Sequence, residues 1–297
     1  MNNLKTAFWM ALLTSLAVAA GYLIGGTAGS VVAFSLALLM NGFAYWFSDR
    51  VALAVAGARE VSVAEAPALH RIVESLALAF GTPKPQVYVS SDASPNAFAT
   101  GRNPRHAALC VTASLMQALN EEELRGVLAH ELAHVRNRDI LISSVVAVLA
   151  GWITMLATFA QWSLWLGGAN RDEERGGGIS GLVGLLLMVV LAPIAATLVQ
   201  LAISRSREYE ADRTGALVGG ALPLASALRK LDLASHRQPS DRAQPAFAHL
   251  YIVNPLSGRV LAGLFSTHPP VQERVRRLEA MARPTSWHGR PSSESWA

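Results

Sequence analysis

The sequence predicts an α+β fold anchored in a membrane, with about four transmembrane helices and one polar body that contains a small sheet. Two observations support this fold class. Charged residues make up 15% of the 297-residue chain and hydrophobic residues 52%, whereas soluble proteins usually carry about 25% charged residues. The apolar residues are also concentrated in long uncharged runs, and the sequence between these runs is mixed and polar.

The first uncharged run extends from Thr6 to Ser48. A transmembrane helix needs about 20 apolar residues, so the run accommodates two helices, which we predict at residues 6–24 and 31–47. The glycine-rich segment 25–30 separates them. The alternative for the first helix is a cleaved signal peptide. A second apolar segment follows it directly, which favours a retained hairpin.

Two further uncharged runs extend from Ile140 to Asn170 and from Gly176 to Ser204. Their cores predict spans at residues 140–164 and 179–203, the latter kinked at Pro193. The alternative is a buried helical hairpin of a soluble protein. The length of both runs favours the membrane.

Basic residues near the ends of the spans indicate orientation, because cytoplasmic loops are enriched in lysine and arginine. The loop between the third and fourth spans has two arginines but three acidic residues. The basic residues at the other span ends are Lys5, Arg50, Arg59, Arg136, Arg138, Arg205, Arg207 and Arg213. We therefore expect both termini and the segments 49–139 and 204–283 in the cytoplasm. The polar tail 284–297 is predicted to be disordered.

The remaining composition excludes some classes of function. The net charge of +4 is small and scattered, so we expect no nucleic-acid partner. Cys110 is the only cysteine, which excludes a disulfide within the chain and agrees with a reducing compartment.

Segment 49–139 combines helices and short strands. A helix over residues 65–80 ends at Gly81, and Asn120 begins another as an N-cap with Glu123 three residues later. Between these two helices we predict three strands and a short helix, at Gln86–Val89, Asn96–Thr100, Ala107–Thr112 and Ser114–Leu119.

The helix that begins at Asn120 contains an H-E-x-x-H pattern at residues 130–134. Residues four apart lie on one helix face, so His130 and His134 can direct two imidazoles at one Zn²⁺. Glu131 is placed to take a proton from water at the metal. The pattern predicts a zinc peptidase, and a chance match of five residues is the alternative.

Two histidines leave zinc short of a third protein ligand. Glu208 and Asp212 lie one helical turn apart after the last apolar run. Glu208 could bind the metal while Asp212 orients a ligand histidine, and Glu210 on another face is a weaker candidate. The alternative is a solvated, charged start of a helix. If both helices continue into the membrane, the two sets of ligands lie at similar depth near its cytoplasmic face.

A third element is His268, followed by two prolines and then Arg274. These cationic groups could stabilise the oxyanion of a tetrahedral intermediate. A His-Pro-Pro sequence at the start of a helix without any catalytic role is the alternative.

Together these motifs resemble the HtpX family of bacterial membrane zinc endopeptidases, which are gluzincins related to the CAAX prenyl proteases. The resemblance covers residues 1–283 and includes the order of spans and motifs. The matching segments are 95–101, 130–134, 208–212 and 268–270.

The resemblance implies one Zn²⁺ per chain in a zincin-like body, with Glu131 as general base. Asp212 would contact a ligand histidine rather than the metal itself. His268 and Arg274 would stabilise the transition state. The implied zinc ligands are His130, His134 and Glu208. The implied substrate strand would add to an edge strand formed by Asn96, Ala97, Phe98, Ala99 and Thr100.

The resemblance also implies a role in membrane-protein quality control and stress response in the bacterial inner membrane. The substrates would be misfolded or damaged membrane proteins and unfolded polypeptides. The expected partners are the lipid bilayer and other quality-control proteases of the membrane.

Three other functions agree with part of the sequence. An intramembrane metalloprotease would place its motif in an apolar span, whereas charged residues flank this motif. A prenyl-peptide processing enzyme would typically have more spans. A transporter would carry ionisable residues within its spans, and a scaffold with structural zinc would offer four protein ligands.

Overall fold

The computed structural model describes residues 2–150, 205–237, 247, 250–252 and 269–283. The described helices are α1 (Asn2–Val55), α2 (Pro67–Phe80), α3 (Ala113–Ala118), α4 (Glu121–Asn137), α5 (Ile140–Ala150), α6 (Arg205–Gly219), α7 (Ala221–Arg237) and α8 (Val271–Ala282). The strands are β1 (Ala58–Glu60), β2 (Gln86–Ser90), β3 (Ala97–Gly101) and β4 (Ala107–Thr112).

Helix α1 is folded back on itself as two antiparallel arms. The Asn41 amide donates a 2.8 Å hydrogen bond to the Thr14 hydroxyl, although these residues would lie about 40 Å apart in a straight helix. The reversal falls at Gly26, whose φ of 59° suits glycine and strains other residues. The predicted break at residues 25–30 is thus a tight turn within the helical segment.

The second arm of this hairpin, Gly26–Val55, is the one helix in the described part of the chain that is long and apolar enough to cross a membrane. It continues past residue 47, where the sequence predicts its end. Its exposed apolar side chains include Val31, Val32, Phe34, Leu36, Leu38 and Leu39. Met10–Ala19 and α5 are shorter apolar helices. Most of the predicted third span, the whole fourth span and the tail lie outside the described residues.

The four strands form one sheet in the order β1-β2-β4-β3. Strands β2 and β4 are parallel, and β3 pairs with β4 in antiparallel register with Phe98 opposite Cys110. Strand β3 therefore lies at an edge, as the sequence predicts. Strand β1 is too short, at three residues, to give an alternation signal.

Helix α4 runs through the core of the body. Its N-terminus has the predicted capping box, in which Asn120 Oδ1 accepts from the Glu123 amide at 2.9 Å and Glu123 Oε2 accepts from the Asn120 amide at 3.0 Å. Leu128 and Leu132 are fully buried. Helix α6 packs closely against α4 at Gly215. A Cβ added to this glycine would lie only 2.8 Å from the backbone of His130.

Helix α4 ends at Asn137 and does not continue into the next apolar run, the case that was considered from the sequence. Arg138 adopts a left-handed conformation with φ of 59°, and a new helix begins at Ile140. The Asp139 amide donates to the His134 carbonyl at 3.0 Å. This turn brings the side chain of Asp139 back to the H-E-x-x-H motif.

Candidate metal centre

Two helices bring together the three predicted metal ligands. His134 Nε2 lies 3.5 Å from Glu208 Oε1, and His130 Nε2 lies 3.8 Å from Glu208 Oε2. One potential ligand atom from each residue lies within 4.8 Å of the others. Ligand atoms about 2.0–2.2 Å from one tetrahedral zinc lie roughly 3–4 Å apart. The His-His-Glu set therefore fits a single metal ion.

Asp212 lies behind His130, with Oδ1 2.9 Å from the ring Nδ1. The contact is short but poorly aligned with the ring N–H. Two hydrogen bonds from Arg274 fix the carboxylate, from Nε to Oδ2 at 2.8 Å and from Nη2 to Oδ1 at 2.7 Å. Burial acts to raise the pKa of Asp212, but the charge and hydrogen bonds of Arg274 outweigh it and hold the pKa well below its usual range. Asp212 is thus ionised at neutral pH and faces His130.

Asp139 lies in the same way against the other histidine, with Oδ2 3.2 Å from His134 Nδ1. A carboxylate on the second ring nitrogen fixes the tautomer of a ligand histidine and increases its basicity. Asp139 was not predicted from the sequence, because its position depends on the left-handed turn at Arg138.

Glu131 lies between the ligands and the edge strand. Its Oε2 accepts a 3.0 Å hydrogen bond from the amide of Ala99, and the residue is 6% exposed. Burial raises the pKa of Glu131, although the two histidines act in the opposite direction. A raised pKa suits a group that accepts and returns a proton near neutral pH.

The predicted substrate strand borders the cleft but is itself covered. Every residue of β3 is buried, and only Phe98 and Ala99 of the predicted five line the cleft. The Gly101 amide donates to Ser144 Oγ at 3.4 Å, just as the Ala99 amide donates to Glu131. A substrate strand added here has to displace Glu131 from the Ala99 amide.

Asn96 and Thr100 also make side-chain contacts at this strand. Asn96 Oδ1 accepts from the amide of Ile252 at 3.0 Å, and the Thr100 hydroxyl lies 2.7 Å from the Ser144 hydroxyl. Both predicted residues are buried, and their side chains bind neighbouring segments of the protein.

Arg274 is fully buried and lies behind His130. Besides its bonds to Asp212, its Nη1 donates to the Ile252 carbonyl at 3.2 Å, and its Nη2 lies 3.5 Å from His130 Nε2. These contacts hold Asp212 and His130 in place. A role of Arg274 in the transition state stays a prediction. His268 lies outside the described residues.

The cleft at the ligands is lined by parts of β3, α4, α5 and α6 and by residues 250–252. Tyr251 in this lining donates to Asp92 Oδ2 at 3.1 Å. Arg207 is the one arginine or lysine among the described residues of the lining. From the sequence alone, Arg207 is only one of the basic residues that indicate membrane orientation.

A helix that presents two histidines and a glutamate, completed by a glutamate of a second helix, defines a gluzincin-type metallopeptidase site. Residues 63–282 match the model of peptidase family M48. A "Protease HtpX homolog" of Sulfurihydrogenibium sp. is 52% identical over 288 residues, 95% of this chain and 97% of the relative. That of Pyrococcus furiosus is 54% identical over 279 residues, 94% of this chain and 95% of the relative. The chain belongs to peptidase family M48 and, within it, to the HtpX proteases.

Among solved structures, Ste24p of S. mikatae is similar at 19% identity with a TM-score of 0.47. The match covers 93% of this chain and 64% of that chain. The family resemblance seen in the motifs is thus confirmed by the sequence relatives, and the protein is a metalloprotease.

Proposed function

We propose that the protein is a zinc-dependent endopeptidase with four transmembrane helices that hydrolyses misfolded or damaged membrane proteins at the cytoplasmic face of a bacterial inner membrane. The observation that best supports the chemistry is the His130–His134–Glu208 set, with ligand atoms within 4.8 Å of one another. Glu131 adds a buried carboxylate next to both histidines.

Zinc, when bound, supplies a Lewis acid that polarises the scissile carbonyl and acidifies water. Glu131 takes the proton from the attacking water and returns it to the leaving amine. The Ala99 amide orients the Glu131 carboxylate. Asp212 lies against Nδ1 of His130 and Asp139 against Nδ1 of His134, which would leave both Nε2 atoms to bind the metal.

The substrate pairs with β3 as an added strand along residues 96–100, a mode that suits unfolded chains because backbone hydrogen bonds supply the affinity. This pairing requires that Glu131 release the Ala99 amide and turn to the reacting water, and that Ser144 release the Gly101 amide. His268 and Arg274 stabilise the transition state.

The cytoplasmic location rests on the basic residues at the span ends, and the membrane anchor on the apolar arm Gly26–Val55. The bilayer and other quality-control proteases are the proposed partners, and we expect no nucleic acid. A prenyl-peptide processing activity has no specific observation in its favour.

The test uses the full chain, purified in detergent and loaded with zinc, and follows cleavage of an unfolded reporter protein. Glu131→Gln is expected to keep one zinc per chain and to lose at least about a thousandfold in kcat, since both proton transfers depend on it. Chelation is expected to abolish cleavage, and added zinc to restore it. Full activity of Glu131→Gln would contradict the proposal.

A further inference from the structure

Arg207 occupies an unusual position for an arginine next to the membrane. It precedes the metal ligand Glu208, lies partly buried and lines the cleft together with Asp139 and Ser143. Arg205 and Arg213 on the same helix are exposed. Contact with lipid headgroups therefore explains the other two arginines better than it explains Arg207.

The guanidinium of Arg207 has no hydrogen bond or ion pair to any residue that the structure describes, although arginine offers five N–H donors. Arg274, also next to the metal centre, directs its donors at Asp212 and Ile252. Burial lowers the pKa of Arg207, and the carboxylates of Asp139 and Glu208 oppose this from nearby. The cleft thus holds a partly desolvated cation whose donors are available.

The two neighbouring carboxylates are committed elsewhere. Glu208 lies with His130 and His134 as a metal ligand, and Asp139 contacts the ring of His134. A carboxylate brought by the substrate would match the planar fork of a guanidinium with two parallel charge-assisted hydrogen bonds. A neutral carbonyl would satisfy fewer of these donors.

We propose that Arg207 binds a carboxylate of the substrate next to the scissile bond and so makes the protease prefer acidic substrates at that position. The inference rests on the proposed endopeptidase function and adds a specificity determinant to it. The carboxylate has two possible sources, an Asp or Glu side chain or the free C-terminus of a short peptide.

The first experiment measures kcat/KM of the zinc-loaded full chain on one peptide and its variants. Glu and Gln are exchanged one position at a time on both sides of the cleaved bond, and the C-terminus is either a free acid or an amide. We expect one of these changes to alter kcat/KM by about tenfold to a hundredfold, the usual contribution of a hydrogen-bonded charge. A side-chain effect and a C-terminal effect identify the source of the carboxylate.

Arg207→Gln should abolish this discrimination, so that kcat/KM for the acidic peptide becomes equal to that for the neutral peptide. Arg207→Lys should give an intermediate ratio, because lysine keeps the charge but lacks the fork. Arg213→Gln, with the same charge change on an exposed position of the same helix, should keep the wild-type ratio. The readout is the ratio of kcat/KM between the acidic and the neutral peptide. A weakened metal ligand Glu208 would lower kcat/KM for both peptides alike and would leave this ratio unchanged.

A second readout does not need turnover. Binding of fluorescent acidic and neutral peptides to Glu131→Gln, with and without Arg207→Gln, should show the same ratio in Kd. The proposal is overturned if wild type treats acidic and neutral peptides alike, or if Arg207→Gln keeps the preference. If wild type cleaves no peptide, the endopeptidase function fails while the binding ratio still decides the role of Arg207.

Discussion

The two ligand histidines lie one turn apart on α4, yet different kinds of structure support them. His130 faces Asp212, which is bound to the fully buried Arg274 of another helix. His134 faces Asp139 in the turn that ends its own helix, and its side chain is 15% exposed against 3% for His130. The support of His130 is thus part of the folded core, whereas that of His134 is local. We infer that loss of the first destabilises the fold and that loss of the second affects mainly the metal.

The largest effect is expected for Arg274→Met. It leaves the carboxylate of Asp212 buried without its cation, which should lower the free energy of unfolding by about 3–5 kcal/mol. Denaturant unfolding of the metal-free protein in detergent measures this. Arg277→Met is the matched control, since Arg277 lies on the same helix with a side chain 54% exposed. An equal loss in both variants would remove the distinction between the two histidines.

The same variant has a defined pH dependence. In the wild type the pKa of Asp212 lies below its ordinary 3.8, so its stabilising contribution is present above that value and lost as the pH falls through the folded pKa. In Arg274→Met burial acts unopposed by the arginine and raises the pKa of Asp212. The stability difference between the two proteins should therefore narrow as the pH is lowered from 7 toward 4. A stability difference that does not change with pH would show that it does not arise from the charge of Asp212.

A smaller effect on stability is expected for Gly215→Ala, which tests how tightly the His130 side is packed. The added Cβ would lie 2.8 Å from the His130 backbone, so α4 and α6 must separate at about 1–3 kcal/mol. The shift moves His130 away from Glu208, and zinc affinity should fall as well. Chelator competition measures the affinity. Gly42→Ala, where nothing lies within 4 Å of the new Cβ, should leave zinc affinity unchanged and should not lower stability.

The His130 side could largely be predicted from the sequence, and the His134 side could not. Glu208 and Asp212 are one helical turn apart, and Asn120 and Glu123 form a capping box, so short-range spacing is enough to predict their roles. Asp139 depends on a left-handed Arg138, a conformation that non-glycine residues seldom adopt.

Contacts between residues far apart in the chain could not be predicted from the sequence either. Arg274 binds Asp212, which is 62 residues away, and this contact was not predicted, since the sequence predicts only a catalytic role for Arg274. Arg207 has no local signal that distinguishes it from Arg205 or Arg213. Both positions follow from how α6 packs against α4 and how α8 packs against α6 and α7, which spacing along the chain does not determine.

The smallest effect on stability is expected for Asp139→Asn. The amide oxygen still accepts from the ring of His134, so the free energy of unfolding of the metal-free protein should change by less than about 1 kcal/mol. The negative charge is lost, which should weaken zinc binding about tenfold to a hundredfold.

Asp212→Asn is the counterpart of this variant on the other histidine. It should weaken zinc binding by a similar factor, but it also leaves Arg274 buried without its anion and should lower stability by about 3–5 kcal/mol. Asp139→Asn is thus expected to lower mainly the zinc affinity, whereas Asp212→Asn lowers both the zinc affinity and the stability. If Asp139→Asn destabilised the metal-free protein as much as Asp212→Asn, the turn after α4 would belong to the core, and the difference between the two histidines would be one of exposure alone.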